Sequence, residues 1–385
     1  MIYDVIIIGC GPAGTNAGFY LSKAGLNVLA IEKAQFPRLK VCAGGLPYHI
    51  TEYNFEIENI IQRKCDKTIF TYKGKDKVEI KFNNFTIDMV MRKDFDNYLL
   101  QRAKKVGLKI CENEQFKKGI FNNELIEIET DKNYYKTKYL IGADGALSSV
   151  NKEFRIIKNK IFGITLNSEI EVKEEFLTKI NNCIYVDIGN IKNGYFWIFP
   201  KKEHLSVGLG STNYKYKNLK KLFYKILKYF NLTENNIKKI NDLKGWILPF
   251  FTINNNIEKY NSGNVLLVGD AANLVDSLSG EGIYYALKSG ELAAISILQT
   301  EKKENNIDNY NNLLKDKIIN NLIYSEKFAN LFYKFPYISY KLGVKNKEVC
   351  SLFCEMLIGK IFYNELYEKL KEKYGIKFNL LKMKL

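Results

Sequence analysis

The sequence predicts an α/β (α+β) chain that opens on a Rossmann-type dinucleotide-binding unit, carries an inserted antiparallel sheet and ends in helices. Three observations carry this. Residues 2–32 read as strand, glycine turn, helix and strand. Short alternating runs punctuated by Gly or Asn begin near residue 159, and from 305 onward the pattern is helical, basic and aromatic.

Ile2 to Ile8 is β-branched and nearly continuous, as a parallel strand buried on both faces requires. Gly9-Cys10-Gly11-Pro12-Ala13-Gly14 then forms a G-x-G-x-x-G. Its first glycine permits the tight turn, its second lets backbone approach a pyrophosphate, and its third allows close helix packing. The helix from Ala13 to Ala24 turns its positive N-terminal end to the phosphates. Val28 to Ile31 is a second short strand ending in Glu32, 18 residues after Gly14, where a carboxylate accepts from ribose hydroxyls. The glycines alone are a weak signal; strand, helix, second strand and terminal acid together make a strong one.

Further on, Phe95, Leu99, Leu100 and Ala103 recur at helical spacing. Residues 106–142 alternate as strands, with Lys132-Asn133 as a hairpin turn. The runs 161–172, 183–189, 194–200 and 204–210 predict an antiparallel sheet able to wall a pocket. Asn264 to Val268 returns to a buried strand and Glu281 to Leu298 to a helix. We therefore expect a discontinuous nucleotide domain (1–60, 86–158, 260–304), a sheet domain (61–85, 159–259) and a helical region (305–385).

A chain of 385 residues, 46% hydrophobic and 14% aromatic, supports two or three real cores and excludes disorder. Met1 runs straight into a strand, so no leader is expected. No long uninterrupted apolar stretch predicts a membrane span; the most apolar late segment, Ile283 to Leu298, is broken by Lys288 and Glu291. The net charge of +16 favours anionic partners: nucleic acid, acidic lipid headgroups or phosphorylated substrates. These lysines are spread along the chain, so a compositional bias that only solvates the surface explains most of the charge. The seven cysteines are scattered and contain no C-x-x-C, so neither zinc nor an iron–sulfur cluster is signalled and a reduced cytoplasmic protein is expected. Cys350 and Cys354, four residues apart on a helix, read either as two buried thiols or as a redox pair.

Short motifs extend this reading by resemblance. Gly142-Ala143-Asp144-Gly145, followed by Ser148 and Val150, resembles the DG motif of flavoprotein hydroxylases. Val268-Gly269-Asp270-Ala271-Ala272 resembles their GD motif, and Gly280-Glu281-Gly282-Ile283 the helix start that follows it. Arg92 matches an arginine of the same proteins. The resemblance implies FAD and a p-hydroxybenzoate-hydroxylase-like architecture. Tyr195-Phe196-Trp197-Ile198-Phe199-Pro200, followed by Val207-Gly208, is similar to the Y-x-W-x-F-P signature of the geranylgeranyl reductase family. Phe36-Pro37-Arg38-Leu39-Lys40-Val41-Cys42-Ala43-Gly44-Gly45 is similar to that family's F-P-R-x-K-P-C-G-G-G loop, with Val41 for the proline and Ala43 for a glycine.

Carried onto this chain, the resemblance implies cofactor contacts at Gly9, Gly11, Pro12, Ala13, Gly14, Glu32, Lys33, Arg38, Cys42, Ala43, Arg92, Asp144, Gly145, Gly269, Asp270, Gly280, Gly282 and Ile283. It implies catalysis by Cys42 with the Gly44-Gly45 turn, and a substrate wall of Tyr195, Trp197, Phe199 and Pro200. The implied reaction saturates C=C bonds of a prenylated lipid, isoprenoid diphosphate or quinone by hydride transfer from reduced flavin, with a proton from Cys42 or a held water. His49 and His204, the two histidines, read as structural or surface residues. A single dinucleotide fingerprint leaves the reductant as NAD(P)H or a ferredoxin-type protein. Contact with an anionic membrane surface is expected, and no nucleic acid. An FAD monooxygenase or halogenase, and an electron-transfer flavoprotein, share the flavin motifs and stand as alternatives.

Overall fold

The computed structural model describes residues 2–82, 86–255, 257 and 259–374. The chain divides into two compact units. The first comprises Met1–Lys40, Lys93–Ile161 and Leu248–Ile323; the second comprises Val41–Arg92, Phe162–Ile247 and Tyr324–Leu385.

The first unit is built on Ile2–Ile8, whose Val5 to Ile7 are fully buried. Parallel neighbours Val28–Glu32 and Tyr134–Gly142 flank it, and Lys109–Glu112 and Val265–Leu267 extend the sheet in parallel on either side. Helix Pro12–Lys23 follows the glycine turn, with proline in its first turn where no amide donor is needed. It packs on helix Ile283–Glu301 so closely that a β-carbon at Gly290 would lie 2.2 Å from the Ala13 carbonyl oxygen. Helix Arg92–Lys105 buries Phe95, Leu99, Leu100 and Ala103, the four positions singled out by spacing. The expected hairpin joins Leu125–Thr130 to Tyr134–Gly142, and the Thr130 hydroxyl accepts from the Lys132 and Asn133 amides to hold its turn.

The second unit centres on a sheet in the order Ile237–Ile240, Ile161–Val172, His204–Ser211, Gly194–Pro200, Cys183–Ile188, Lys67–Tyr72 and Lys75–Lys81. The sequence predicts it as antiparallel throughout. One ladder departs from this: Cys183–Ile188 runs parallel to Lys67–Tyr72, a segment from more than 100 residues earlier that arrives without a hairpin. The sheet's apolar face carries Ile170, Phe196, Ile198, Leu205, Val207 and Leu209, covered by Phe223, Ile226 and Leu227 of helix Leu219–Leu227.

The expected boundaries and the units differ in several places: residues 86–92 fall in the second unit, and 248–259 and 305–323 in the first. Residues 41–60 group with the second unit, because Gly45–Leu46 pairs with Ile87–Val90, which pairs in turn with Ile61–Cys65. The C-terminal helices do not stand apart either. Tyr340, Val344, Cys350, Cys354 and Ile358 bury themselves against Phe70, Phe82 and Ile188 of the second unit. Both cysteines of the helix Lys347–Leu357 are thus buried core thiols.

Phe223 is fully buried in this core. Phe223→Ala is expected to lower stability by about 3–5 kcal/mol through transfer loss plus the residual cavity, measured as a shift in the urea midpoint.

Candidate active site

The glycine turn leaves one open face. A β-carbon on Gly14 would lie 2.0 Å from the Gly9 carbonyl oxygen, so that residue serves close packing. At Gly11, by contrast, the nearest atom is the Arg38 Nη2, at 3.6 Å from such a carbon. The helix that starts here has neither a capping side chain nor an acid in its first turn. Its N-terminal amides and the Arg38 guanidinium therefore offer positive charge on the open side of Gly11. Arg38 is held by Asp96, whose Oδ2 accepts from Nη1 at 3.1 Å, and stacks over Phe36 at 4.8 Å.

Glu32 is buried at the end of its strand. Its Oε2 accepts from the Cys10 amide at 2.8 Å and its Oε1 from the Ala34 amide at 3.1 Å. These bonds fix the carboxylate beside the glycine turn. Lys33 is exposed, whereas Pro12 and Ala13 are buried in the helix.

Asp144 spends its carboxylate internally: Oδ1 accepts from the Ser148 hydroxyl, and Oδ2 from the Ser149 and Val150 amides at 2.6 and 3.1 Å. Burial raises its pKa against those bonds. Gly145, at φ +83, faces open space. Gly269 (φ +56) sits over Ala13 and Ala286 and opens the turn that carries Asp270; its amide donates to Ser289 Oγ at 2.9 Å. Asp270 lies beside Gly282, whose added β-carbon would be 3.5 Å from Oδ1. Gly280 (φ +72) and Gly282 lead into helix Ile283–Glu301, again without a capping side chain or first-turn acid.

Two side chains join this cradle that sequence reasoning passed over. Lys160 donates to the Ala271 carbonyl at 2.9 Å and reaches the Ala146 carbonyl at 3.5 Å, bridging the DG and GD segments. Burial pushes its pKa down to about 8, while Asp144 and Asp270 pull it upward. Asn273, immediately after the GD motif, is fully buried in the left-handed conformation, and neither its Oδ1 nor its Nδ2 has a partner. A buried, unpaired amide is costly, and it fits a site completed by a polar ligand. The open glycine, the uncapped helix starts and this amide all fit a dinucleotide cofactor.

The second unit assembles the other two motifs. Tyr195, Trp197 and Phe199 alternate onto one face of strand Gly194–Pro200, opposite the Phe196–Ile198 core. Phe199 packs on Gly45, and Cys42 is partly exposed, with its Sγ accepting from the Gly44 amide at 3.4 Å. Gly44 (φ +68) admits no side chain, because a β-carbon would lie 2.1 Å from the Val90 carbonyl oxygen.

What joins loop to strand is Lys201, the residue after Pro200 and 1% exposed. Its ammonium donates to the carbonyls of Ala43 (2.6 Å), Val90 (3.0 Å) and Gly44 (3.4 Å), so three backbone acceptors meet three N–H donors. Burial lowers its pKa to about 8, with Glu169, Cys42 and Cys65 favouring the charge. Pro200 is buried at the strand end, and Arg92 is buried at the start of its helix.

The wall is not wholly apolar. Trp197 Nε1 donates to Asn167 Oδ1 (3.3 Å), Asn167 Nδ2 to Ser206 Oγ (3.2 Å), and Ser206 Oγ to Glu169 Oε1 (3.0 Å). His204 Nε2 lies 3.0 Å from Glu169 Oε2, so this histidine belongs to the wall, while His49 packs over Gly359.

The FAD binding domain family matches residues 2–312. Among curated proteins, the digeranylgeranylglycerophospholipid reductase of Methanocaldococcus jannaschii is 31% identical over 348 residues, covering 86% of this chain and 87% of that protein. The chain belongs to the geranylgeranyl reductase family of FAD-dependent oxidoreductases. An uncharacterised protein of Methanosarcina barkeri is 36% identical over 293 residues, 76% of this chain and 73% of that one. The chloroplastic geranylgeranyl diphosphate reductase of Arabidopsis thaliana is 29% identical over 332 residues, 77% of this chain and 65% of its own. Among solved structures, a geranylgeranyl bacteriochlorophyll reductase-like protein from Thermoplasma acidophilum superposes with TM-score 0.76 at 21% identity, covering 99% and 98% of the two chains. A flavin-dependent brominase reaches 0.75 at 20% identity, covering 97% of this chain and 99% of that one. The fold is thus common to reductases and halogenases.

The cofactor of this reductase family member is FAD. The glycine turn, Glu32, Arg38, the DG and GD turns and the start of helix Ile283–Glu301, all expected at the cofactor, lie in the first unit. Cys42, Ala43 and Arg92, also expected at the cofactor, belong to the second unit.

Glu32→Ala is expected to weaken FAD binding about 10- to 100-fold, the worth of one or two hydrogen bonds to a charged acceptor, as read by flavin fluorescence titration. Lys201→Met removes the ammonium from three carbonyls, of which Gly44 keeps the Val90 amide as donor. Amide exchange of the Val41–Leu46 segment is expected to quicken about 10-fold or more, with strand His204–Ser211 unchanged, by deuterium exchange and mass spectrometry.

Proposed function

We propose that this chain reduces isoprenoid C=C bonds of a lipid or a prenyl diphosphate. The observation that carries the reading is the union, within one unit, of the cysteine loop and the aromatic strand through Lys201 and Phe199. The relatives' names supply the substrate class: a digeranylgeranylglycerophospholipid in one, geranylgeranyl diphosphate in another.

Reduced FAD, when bound, supplies the hydride for one alkene carbon. The chain's own residues do the rest. Tyr195, Trp197 and Phe199 offer a flat apolar face against which a prenyl chain lies, and this orients the double bond. Cys42 Sγ is the proton donor to the second alkene carbon; an isolated alkene is a poor hydride acceptor, so a positioned acid lowers the barrier. Gly44 and Gly45 let the loop pass close to Val90 and Phe199, and Lys201 fixes the two carbonyls that follow the cysteine. Pro200 ends the strand so that Lys201 turns inward. The polar row Asn167–Ser206–Glu169 anchors the Trp197 indole.

The substrate's headgroup and the +16 net charge together favour work at an anionic membrane surface. Among the described residues no helix is long and apolar enough to cross a membrane, so contact would be peripheral. The electron donor is a nicotinamide nucleotide or a small redox protein.

The test is anaerobic incubation of dithionite-reduced protein with geranylgeranyl diphosphate or geranylgeranyl lipid. Product heavier by about 2 Da per saturated bond is expected. Prenyl compounds left untouched by cleanly reduced protein, with oxygen and an aromatic substrate giving product instead, would move the chain to the monooxygenase or halogenase class. Cys42→Ala is expected to lower saturation about 100-fold or more with the FAD affinity unchanged.

A further inference from the structure

We propose that residues 334–347 form the ridge by which this chain docks on an anionic phospholipid surface. The proposal deepens the lipid-reductase reading, but it stands on a separate part of the molecule.

The segment comprises helix Pro336–Ser339 and the wider turn Tyr340–Val344. Tyr340 and Val344 anchor it in the core with Phe70, Phe82 and Ile188. That anchoring turns Phe335, Ile338 and Leu342 outward, with 42%, 54% and 69% of their surface exposed. Large apolar side chains three and four residues apart thus crest one side of a tethered helix. Nothing in folding demands this, and such clusters mark interaction sites.

Lysines line the crest. Lys334, Lys341, Lys345 and Lys347 are all exposed. Lys334 Nζ lies 5.7 Å over the Phe335 ring and Lys341 Nζ lies 4.8 Å over Tyr337, so their stems follow the apolar surface while their charges stand at its edge. From Lys327 to Lys347 the sequence holds five lysines and no acid. The acids nearby are engaged: Asp76 lies 3.3 Å from Lys345, and Glu348 is 2.8 Å from Lys373.

An apolar crest with cations at its base matches the boundary between acyl chains and acidic headgroups. A second copy fits poorly, since a two-fold contact would lay this lysine row against itself. A purely acidic protein partner would leave the crest of Phe335, Ile338 and Leu342 without an apolar counterpart.

The test measures co-sedimentation of the full chain with vesicles of phosphatidylcholine alone, or with about one-third phosphatidylglycerol. We expect at least about 10-fold tighter binding to the anionic vesicles, weakening as salt rises. Lys334→Gln with Lys341→Gln is expected to remove about 10- to 30-fold of that binding. Ile338→Ser with Leu342→Ser should lower binding to both vesicle types about 10-fold. These positions are exposed, so the variants keep the fold, which circular dichroism verifies. Equal binding by wild type and both variants overturns the proposal. So does a wild-type dimer, seen by light scattering, that the serine variant makes monomeric. Vesicle binding needs no turnover: detergent-dispersed prenyl diphosphate, saturated or not, reports on the reductase reading independently.

Discussion

Backbone must meet backbone with no side chain between at the turn from Ile8 into helix Pro12–Lys23. The Gly9 carbonyl occupies the space a β-carbon of Gly14 would need, and the Ala13 carbonyl occupies that of Gly290. Helix Pro12–Lys23 is thereby pressed onto both the turn and helix Ile283–Glu301, joining segments 270 residues apart. The positions of the GD turn, Asp270 and the start of that last helix all follow from this approach. A larger residue at either glycine displaces the turn and both helices, because close-packed interiors do not absorb a new side chain without shifting backbone.

The second unit answers a different problem, which is how to fix an irregular loop that carries the partly exposed Cys42. Loops have few ladder partners, so their carbonyls need other donors. Lys201 supplies three N–H groups at the cost of burying a cation, and the geometry is dense enough to hold that cation in place. The same lysine depends on the strand that presents the aromatic wall. Loop and wall are therefore set by one side chain, and a change in strand register would move both.

Much of this was legible in the sequence. Period-2 runs gave the strands 161–172, 183–188, 194–200 and 204–211 almost to the residue, since each has a continuous apolar face with its own register. The place of Glu32 at a strand end, 18 residues after Gly14, was legible because strand, glycine turn, helix and strand follow one another at a set spacing. The direction of the Cys183–Ile188 and Lys67–Tyr72 ladder was not, because local pattern is blind to which distant strand lies alongside. Nor was the place of Asn167 and Ser206, which in the fold are buried and bonded to Trp197 and Glu169.

The sequence by itself determined the nucleotide fingerprint, the order of the flavin motifs and the alternation of the aromatic strand. Those depend on local spacing and on turns that only glycine makes. Tertiary structure alone decided which lysines matter. In a chain with 58 basic residues, Lys160 and Lys201 look like any others until folding carries them out of water and onto carbonyls distant in sequence. It decided likewise that the chain from Tyr324 onward joins the second unit, and that Phe335, Ile338 and Leu342 face outward when their neighbours Tyr340 and Val344 face in. Burial is a property of the whole packed chain, and no window of sequence contains it.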